Sequence, residues 1–396
     1  MSVVKEIKRK NMKICGIICE YNPFHNGHAY HIRKAKEFSG ADHIVCIMSG
    51  NFVQRGEAAI FEKHIRAKHA ILAGADAVIE LPVHFATSTA EIFAKGAIKL
   101  LNSIPAFSHL CFGAETEDAN AFYDCARILN DEPSGVSSKI QELMASGMSF
   151  AKARASAYAE YIPNSILTKP NNILGIEYTK ALLKTNSKAE IIPIQRQGAG
   201  YLDQELRENF SSATAIRNAI RENHLTSLDA NLPKFVIDDI EKTCLNSLDT
   251  LEKYAILSTP KNELASTLDC EEGLENSFKS VAEKNEAELI STLTNARYTS
   301  SRIKRIALQN LLKIRKADIK SALEEDLFLS LLAIDEKKIA LLSELGKSSY
   351  PLLVKNGDYK KLTKTAKKVF EMQTFADSVY SIHTNSPKQT PSIFIK

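Results

Sequence analysis

The stretch from Ile14 to His31 constrains the fold most, because a short apolar run in it leads directly into a helical pattern. The apolar run, Ile14–Cys19, is too short for a helix and lacks helical periodicity, which predicts a strand buried on both faces, as in a parallel sheet. Asn22-Pro23 then interrupts the chain, because proline fixes φ and disfavours helix at the residue before it. Helical spacing begins at about Gly27. A strand, a tight turn and a helix in this order place free backbone N–H groups and the positive end of a helix dipole where an anion can bind.

The turn contains two histidines, His25 and His28, which are separated by Asn26 and Gly27. Imidazole N–H groups can donate hydrogen bonds to phosphoryl oxygens that gain charge in a transition state. The glycine has no Cβ, so a flat base or a sugar can approach the backbone. An isolated H-x-G-H pattern recurs by chance, and a polar helix start with incidental histidines is the alternative interpretation. Here the pattern follows a buried strand and opens a helix, which favours the binding of a nucleoside triphosphate.

Strands and helices alternate along the first half of the chain, which predicts an α/β fold with a doubly wound, Rossmann-like parallel sheet. Ligands of such sheets bind at the carboxyl ends of the strands. The predicted strands after the first cover residues 42–48, 75–82, 109–113 and 190–196, and the predicted helices cover about 60–73, 89–101, 138–161 and 173–184.

A second candidate phosphate site lies at residues 211–217. Ser211, Ser212 and Thr214 come at the start of an amphipathic pattern, so their hydroxyls and the free backbone N–H groups point the same way. Arg217 follows one turn later and adds a positive charge. The alternative interpretation is that these residues only cap a helix. Phosphate binding is favoured because the same chain contains the H-x-G-H turn.

Composition limits the class of protein. The chain has 396 residues, enough for two domains, with 44% hydrophobic and 25% charged residues, which is typical of a soluble globular protein. No apolar run is long enough to span a membrane, and no signal-type segment follows the basic first residues. The seven cysteines form no C-x-x-C pair, which indicates a reducing, cytoplasmic environment and argues against structural zinc. No cluster of carboxylates is dedicated to a metal ion.

The last third of the chain is basic in places, and after about residue 222 we expect helices to the end. Residues 297–316 hold seven basic side chains, no acidic one, and an apolar stripe that can dock the helix on the body. We therefore expect the charged face of this helix to be free for the phosphates of a nucleic acid. A second lysine-rich cluster at 355–368 fits a solvated helix better. The candidate RNA-binding residues are Arg297, Arg302, Lys304 and Arg305.

The run Glu20–His28 resembles the first motif of the tRNA(Met) cytidine acetate ligases, which belong to the H-x-G-H nucleotidyltransferase superfamily. The resemblance continues in collinear order over roughly residues 13–315. It implies a basic arm at 1–12, a nucleotidyltransferase-like ATP-binding domain at 13–222 and a mainly helical, basic tRNA-binding domain at 223–396. The other segments that resemble the family are 48–57, 73–82, 112–115, 171–175, 198–201, 211–217 and 297–299 with Arg302.

The resemblance implies an enzyme that makes an acetyl-adenylate from acetate and ATP, which comes with Mg²⁺, and releases pyrophosphate. The N4 amine of the wobble cytidine of elongator tRNA(Met) then attacks, giving N4-acetylcytidine and AMP. His25 and His28 are the implied catalytic residues. Gln197 and Leu202 depart from the pattern of the family. The implied ATP contacts are Ile18, Cys19, Glu20, Tyr21, Asn22, Pro23, Phe24, His25, Asn26, Gly27, His28, Ala29, Tyr30, His31, Gly113, Asn171, Arg196 and Gln197.

Two other functions fit parts of the sequence. One is an adenylyltransferase that acts on a small metabolite and needs no RNA, against which the basic segment 297–316 argues. The other is a non-catalytic RNA-binding protein on the same fold, against which the intact pair of His25 and His28 argues.

Overall fold

The computed structural model describes residues 12–196, 211–271, 273–285, 288–386 and 393–396, and a mixed β-sheet runs through its centre. The strand order is β10-β8-β5-β2-β1-β6-β7, with β9 also paired to β8, while β3 and β4 form a separate small hairpin. In chain order the strands are β1 (Ile14–Cys19), β2 (His43–Ser49), β3 (Phe52–Val53), β4 (Glu57–Ala58), β5 (Ala77–Leu81), β6 (Phe107–Ala114), β7 (Glu190–Gln195), β8 (Leu329–Asp335), β9 (Leu352–Leu353) and β10 (Phe394–Ile395).

The parallel part of the sheet confirms the predicted doubly wound architecture. Strands β5, β2, β1, β6 and β7 are parallel to their neighbours, and Ile17 of β1 aligns with Cys46 of β2 on one side and Cys111 of β6 on the other. From β1 the chain first builds outward through β2 and β5, and then returns to add β6 and β7 on the other side. The order therefore reverses between β1 and β6, which is where such sheets form a ligand crevice.

Both faces of β1 are buried, which explains its unbroken apolar sequence. Ile14 and Ile18 pack into a core on one face, together with Leu101. Cys15 and Ile17 pack into the core on the other face, under the first helix.

Helices cover the sheet and form most of the last third of the chain. They are α1 (Asn26–Ser39), α2 (Lys63–Leu72), α3 (Val83–Ala86), α4 (Ala90–Asn102), α5 (Ala119–Asn130), α6 (Val136–Ala145), α7 (Phe150–Ala157), α8 (Asn164–Leu167), α9 (Pro170–Lys184), α10 (Ala213–Arg221), α11 (Lys234–Ile237), α12 (Asp249–Ser258), α13 (Lys261–Ala265), α14 (Leu274–Lys284), α15 (Leu289–Leu293), α16 (Ser300–Leu311), α17 (Lys316–Glu324), α18 (Ala340–Leu345) and α19 (Lys364–Thr384). Among the described residues, no helix is both long and apolar enough to cross a membrane.

The prediction of one continuous helix over residues 138–161 is wrong. The chain forms α6, leaves the helix after Ala145, and starts α7 at Phe150. Gly147 lies between them at φ +96°, a left-handed conformation that glycine adopts at little cost and that ends an α-helix.

The expectation of helices to the end of the chain is wrong at β8. Residues Leu329–Asp335 pair antiparallel with β5, with Leu331 opposite Ile79. A short apolar run does not distinguish a buried helix from a buried strand, and here the open edge of β5 supplies the backbone partners that decide for a strand. Strands from beyond residue 222 therefore complete the sheet, although the last third is mainly helical as expected. The division into domains at residue 222 stays a prediction.

Candidate active site

A cavity of about 130 Å³ lies beside the carboxyl ends of β6 and β7 and the start of α1. It brings together residues that the sequence predicted from separate segments, and it adds mostly apolar residues that the sequence did not single out. The predicted residues in its wall are His25, Gly27, His28, Tyr30, His31, Gly113, Asn171, Arg196 and Ser211, and the missed ones are Phe112, Leu174, Tyr178, Ile194 and Gln195.

His25 and His28 form a reciprocal cap at the start of α1. The Nδ1 atom of His25 accepts a hydrogen bond from the backbone N–H of Gly27 at 3.1 Å, and Nδ1 of His28 accepts one from the backbone N–H of His25 at 3.3 Å. The two rings stack, with centroids 3.6 Å apart. Because each Nδ1 is an acceptor, each neutral ring carries its proton on Nε2, and this N–H can be donated to an oxygen of a ligand.

Burial keeps this pair of histidines uncharged. It lowers the pKa of His25 to about 3, with the positive charge of Arg196 as the second cause. Burial also holds the pKa of His28 well below its usual range, and the charge of Arg196 and the neighbouring imidazoles His25 and His31 further disfavour its protonation. At neutral pH the two side chains are therefore hydrogen-bond donors without a net charge, and Arg196 supplies the positive charge at the cavity.

His31 completes the histidine face of α1. Its Nε2 atom lies 3.3 Å from Sγ of Cys111 in β6, which joins the helix to the neighbouring strand. Burial, followed by the charge of Arg196, lowers the pKa of His31 to about 4.

The first turn of α1 is held in place by residues 211–231. The backbone carbonyl of Asn231 accepts from the N–H of Asn26 at 2.9 Å, and its side-chain Oδ1 accepts from the N–H of Ser211 at 2.9 Å. Ser212 is the N-cap of α10, and its side chain accepts from the N–H of Ala215 at 3.0 Å. The helix start at 211–217 is therefore confirmed, with Ser211 in the wall of the cavity.

Arg217 is directed at the H-x-G-H turn. Its guanidinium donates to the backbone carbonyl of Asn22 at 2.8 Å and to Oγ1 of Thr214 at 3.3 Å. This contact links the two segments that the sequence singled out for phosphate binding. A phosphate-binding role for Ser211, Ser212, Thr214 and Arg217 stays a prediction.

The residues that precede His25 support the turn from behind. Tyr21 and Phe24 are buried in the core beneath α1, and Asn22 accepts from the N–H of Ile60 through its side chain at 2.9 Å. The carboxylate of Glu20 accepts from the N–H of Gln54 at 2.7 Å. The ATP contacts that the family resemblance implies for these residues, and for Ile18, Cys19, Pro23 and Ala29, stay predictions.

Asn171 reaches the cavity from the start of α9. Gly175, one turn later, lies so close to Phe112 that an added Cβ would stand 2.4 Å from the ring, so glycine permits this approach of helix to sheet. Leu174 and Tyr178 share the cavity-facing side of α9 with Asn171. Their spacing of three and four residues was the available signal for finding them. Gln197, Leu202 and the segment 198–201, like residues 1–11 of the basic arm, lie outside the described residues.

The expectation of a free charged face at 297–316 is wrong for most of its residues. Arg302 donates to the backbone carbonyl of Asp269 at 2.7 Å, and Arg305 pairs with the carboxylate of Asp269 at 3.3 Å. Lys304 forms an ion pair with Glu57 of β4. Lys304 thereby connects α16 to the hairpin of β3 and β4, and the two arginines connect α16 to the segment that precedes α14. Arg297 is exposed and its guanidinium lies 5.7 Å from the ring centre of Tyr298.

A larger cavity of about 720 Å³ lies at the opposite edge of the sheet, near the first residue of β6. Its wall contains Lys95, Lys99, Lys180, Lys184 and Lys188, but not His25, His28 or His31. We assign the chemistry to the smaller cavity, because it lies at the carboxyl edge and contains the capped histidine pair. Within the described residues, no group of three or more His, Cys, Asp or Glu side chains is arranged to hold a metal ion.

An H-x-G-H turn that opens a helix at the carboxyl edge of a parallel sheet defines a nucleotidyltransferase of the HIGH type, and the family model described as HIGH Nucleotidyl Transferase matches residues 12–392. A tRNA(Met) cytidine acetate ligase of Thermoanaerobacter sp. is 40% identical over 388 residues, covering 94% of this chain and 95% of the relative. The tRNA(Met) cytidine acetate ligase of Acetivibrio thermocellus is 36% identical over 400 residues, covering 95% and 96%. The chain belongs to the tRNA(Met) cytidine acetate ligase family.

Solved structures agree with this assignment. The crystal structure of apo TmcAL from Thermotoga maritima matches with a TM-score of 0.89 and 30% identity, covering 97% of this chain and 100% of that one. A second crystal form of TmcAL, bound with alpha-thio ATP, matches with a TM-score of 0.86 at the same identity and coverage. The resemblance that the sequence motifs indicated is confirmed.

Proposed function

We propose that this protein acetylates the wobble cytidine of elongator tRNA(Met) in the cytoplasm, using ATP and acetate. Acetate attacks the α-phosphorus of ATP to give acetyl-adenylate and pyrophosphate. The N4 amine of cytidine then attacks the acetyl carbonyl, forming N4-acetylcytidine and releasing AMP. The observation that carries the proposal is the 40% identity to a tRNA(Met) cytidine acetate ligase over 94% of the chain.

The cavity offers the groups that the first step needs. Negative charge moves onto the leaving pyrophosphate as acetate attacks, and the Nε2–H groups of His25 and His28 are donors of the right kind to stabilise it. Arg196, in the wall of the same cavity, adds positive charge. Because acetate is itself the nucleophile, the reaction requires no nucleophilic side chain. Magnesium enters with ATP, since its usual partners in such sites are the phosphates.

The second step requires the wobble cytidine of a bound tRNA to reach the acetyl-adenylate. The basic residues of the last third of the chain, including Arg297, supply charge for the phosphate backbone, which contributes affinity without reading sequence. We propose that Arg302, Lys304 and Arg305 also contact tRNA, in addition to their intramolecular contacts.

Mass spectrometry of nucleosides from tRNA incubated with the protein, ATP and acetate tests the reaction. We expect N4-acetylcytidine only when both ATP and acetate are present. Acetyl-coenzyme A without ATP should give none, and product formed from it would overturn the adenylate route.

His28→Ala tests the role of the histidine pair in the first step, measured as acetate-dependent exchange of pyrophosphate into ATP. Losing one donor to the developing charge costs about a hundredfold or more in rate, so acetate-dependent exchange of pyrophosphate into ATP should fall by at least that factor. His224→Ala is the matched control, because His224 is exposed and lies outside the cavity wall. A His28→Ala variant with normal turnover would contradict the assignment.

A further inference from the structure

The carboxylate of Glu115, just beyond β6, is bonded to the start of α9. Its Oε1 atom accepts from Nδ2 of Asn171 at 2.7 Å and from the backbone N–H of Asn171 at 3.3 Å. Its Oε2 atom accepts from the backbone N–H of Asn172 at 2.9 Å, and Oδ1 of Asn172 accepts in return from the N–H of Glu115 at 2.9 Å. Glu115 thus accepts hydrogen bonds from backbone N–H groups at the N-terminus of α9 that have no partner within the helix.

This bonding determines which way the amide of Asn171 faces. A carboxylate can only accept hydrogen bonds, so the NH₂ group of Asn171 must be the end that points to Glu115. The remaining polar atom, Oδ1, accepts no hydrogen bond from the described residues. Asn171 is 8% exposed and lies in the wall of the cavity, so Oδ1 is the atom that it offers there.

The surroundings of Asn171 suit a base better than a phosphate. A phosphate at the start of α9 would meet the negative charge of Glu115, whereas the histidine pair and Arg196 offer donors and positive charge elsewhere in the same cavity. Phe112, Leu174 and Ile194 give the cavity an apolar part. Apolar side chains of this kind pack against the face of a flat base, whose polar edge can then meet Asn171.

We infer that Asn171 selects adenine by accepting a hydrogen bond from its 6-amino group, and that Glu115 is the positioning residue that turns the carbonyl of Asn171 toward the base. The inference rests on the proposed binding of ATP. A base without an N–H donor at this place would leave Oδ1 desolvated and unpaired, which disfavours it.

Calorimetric titration with two nucleotides tests the inference without any turnover. Purine riboside 5′-triphosphate lacks only the 6-amino group of ATP. We expect the unaltered protein to bind ATP about tenfold more tightly than this analogue, the usual effect of one hydrogen bond in a protected site. Equal affinities would overturn the inference and leave the proposed function standing. Absence of ATP binding would contradict both.

Asn171→Ala removes the acceptor and keeps Glu115 bonded to the backbone. The affinity for ATP should fall about tenfold and that for the analogue much less, so that the preference disappears. If both affinities fell by the same factor, Asn171 would not read the amino group. A changed preference between ATP and 2′-deoxy-ATP instead would place Asn171 at the ribose and overturn the inference.

Glu115→Gln tests the positioning role. The new amide sets a donor against an N–H group of either Asn171 or Asn172, so the orientation of Asn171 is no longer enforced. We expect the preference for ATP over the analogue to fall three- to tenfold. Glu117→Gln, at an exposed position two residues along, is the matched control and should keep the full preference. An unchanged preference in Glu115→Gln would remove Glu115 from the proposal, and a loss of both affinities alike would show a structural role only.

Discussion

At the scale of single residues, burial rather than ion pairing decides the charge of several histidines. His25 and His31 at the cavity owe their low pKa first to burial and then to the charge of Arg196. His84 on α3 has a pKa lowered to about 4 by burial alone. Its Nε2 lies 3.1 Å from Sδ of Met372, and its Nδ1 has no hydrogen-bond partner among the described residues. Because burial disfavours the protonated form of His84 in the folded protein, the free energy of unfolding depends on pH.

His84→Gln should weaken the acid sensitivity of the fold. Between pH 6.5 and about 4 the unfolded chain binds a proton at His84 and the folded chain does not. The free energy of unfolding therefore decreases as the pH falls through this window, by up to about 1.4 kcal/mol per pH unit for one such group. The variant lacks that contribution, so its free energy of unfolding should decline less steeply in urea titrations from pH 7 to pH 5.

The range above pH 7 serves as a reference for the comparison of His84→Gln with the unaltered protein. Above pH 7 His84 is neutral in both states, so the difference in unfolding free energy between the variant and the unaltered protein should be constant there. Parallel curves across the whole range would refute the role of His84.

At the scale of elements, buried charged side chains join the strand ends to the helices. The guanidinium of Arg66 on α2 donates to the backbone carbonyl of Phe61 at 3.0 Å and to that of Ser49 at 3.1 Å, at the end of β2. Lys63, also on α2, contacts the carboxylate of Glu80 in β5 at 2.9 Å and that of Asp377 in α19 at 2.6 Å. The two carboxylates raise the pKa of Lys63 although burial opposes it. The C-terminal helix is thereby connected to the parallel sheet.

Lys63→Met should destabilise the protein by about 3 kcal/mol or more, because it leaves two buried or half-buried carboxylates without their cation. The free energy of unfolding in urea measures the effect. Lys364→Met at the exposed first residue of α19 is the control and should change it little. Adding Asp377→Asn to Lys63→Met should recover part of the loss. No loss in the single variant would mean that this contact does not stabilise α19.

At the scale of the whole molecule, many basic side chains in the last third of the chain are bonded to groups of that same part of the chain. Arg302 and Arg305 meet Asp269, and Arg315 meets Glu263 at 2.7 Å. The number of basic residues in the sequence therefore overstates how many positive charges the last third of the chain can offer to the phosphates of an RNA. Arg297 is exposed, and so are most lysines of the cluster at 355–368.

Arg297→Ala should raise the KM for tRNA and lower the slope of log K against log salt by about 0.9 or somewhat less, the contribution of one phosphate contact. Acetate-dependent pyrophosphate exchange should stay unchanged, because that step needs no RNA. Binding measured between 50 and 200 mM salt gives the slope, in a range where such contacts weaken strongly.

The double variant Arg302→Ala with Arg305→Ala provides the contrast. It removes the contacts with Asp269, so we expect a lower melting temperature in addition to any effect on tRNA. If Arg297→Ala instead abolished pyrophosphate exchange and left tRNA binding intact, Arg297 would belong to the ATP site.

The sequence by itself determined what depends on neighbours along the chain. The strand at Ile14–Cys19, the break at Asn22-Pro23 and a helix from about Gly27 follow from hydrophobic spacing and turn chemistry, and all three are present in the structure. The same local signals predicted the helix start at Ser212.

Only the tertiary structure decided the features that join distant segments. Glu115 meets Asn171 across 56 positions, Arg302 meets Asp269 across 33, and β8 finds the edge of β5 from the far end of the chain. Local spacing carries no information about such partners, because a carboxylate or an apolar run looks the same whichever segment it will contact. The basic helix that the sequence predicted to be free is therefore partly neutralised, and Asn171, for which the resemblance implied an ATP contact, has the orientation of its amide set by Glu115.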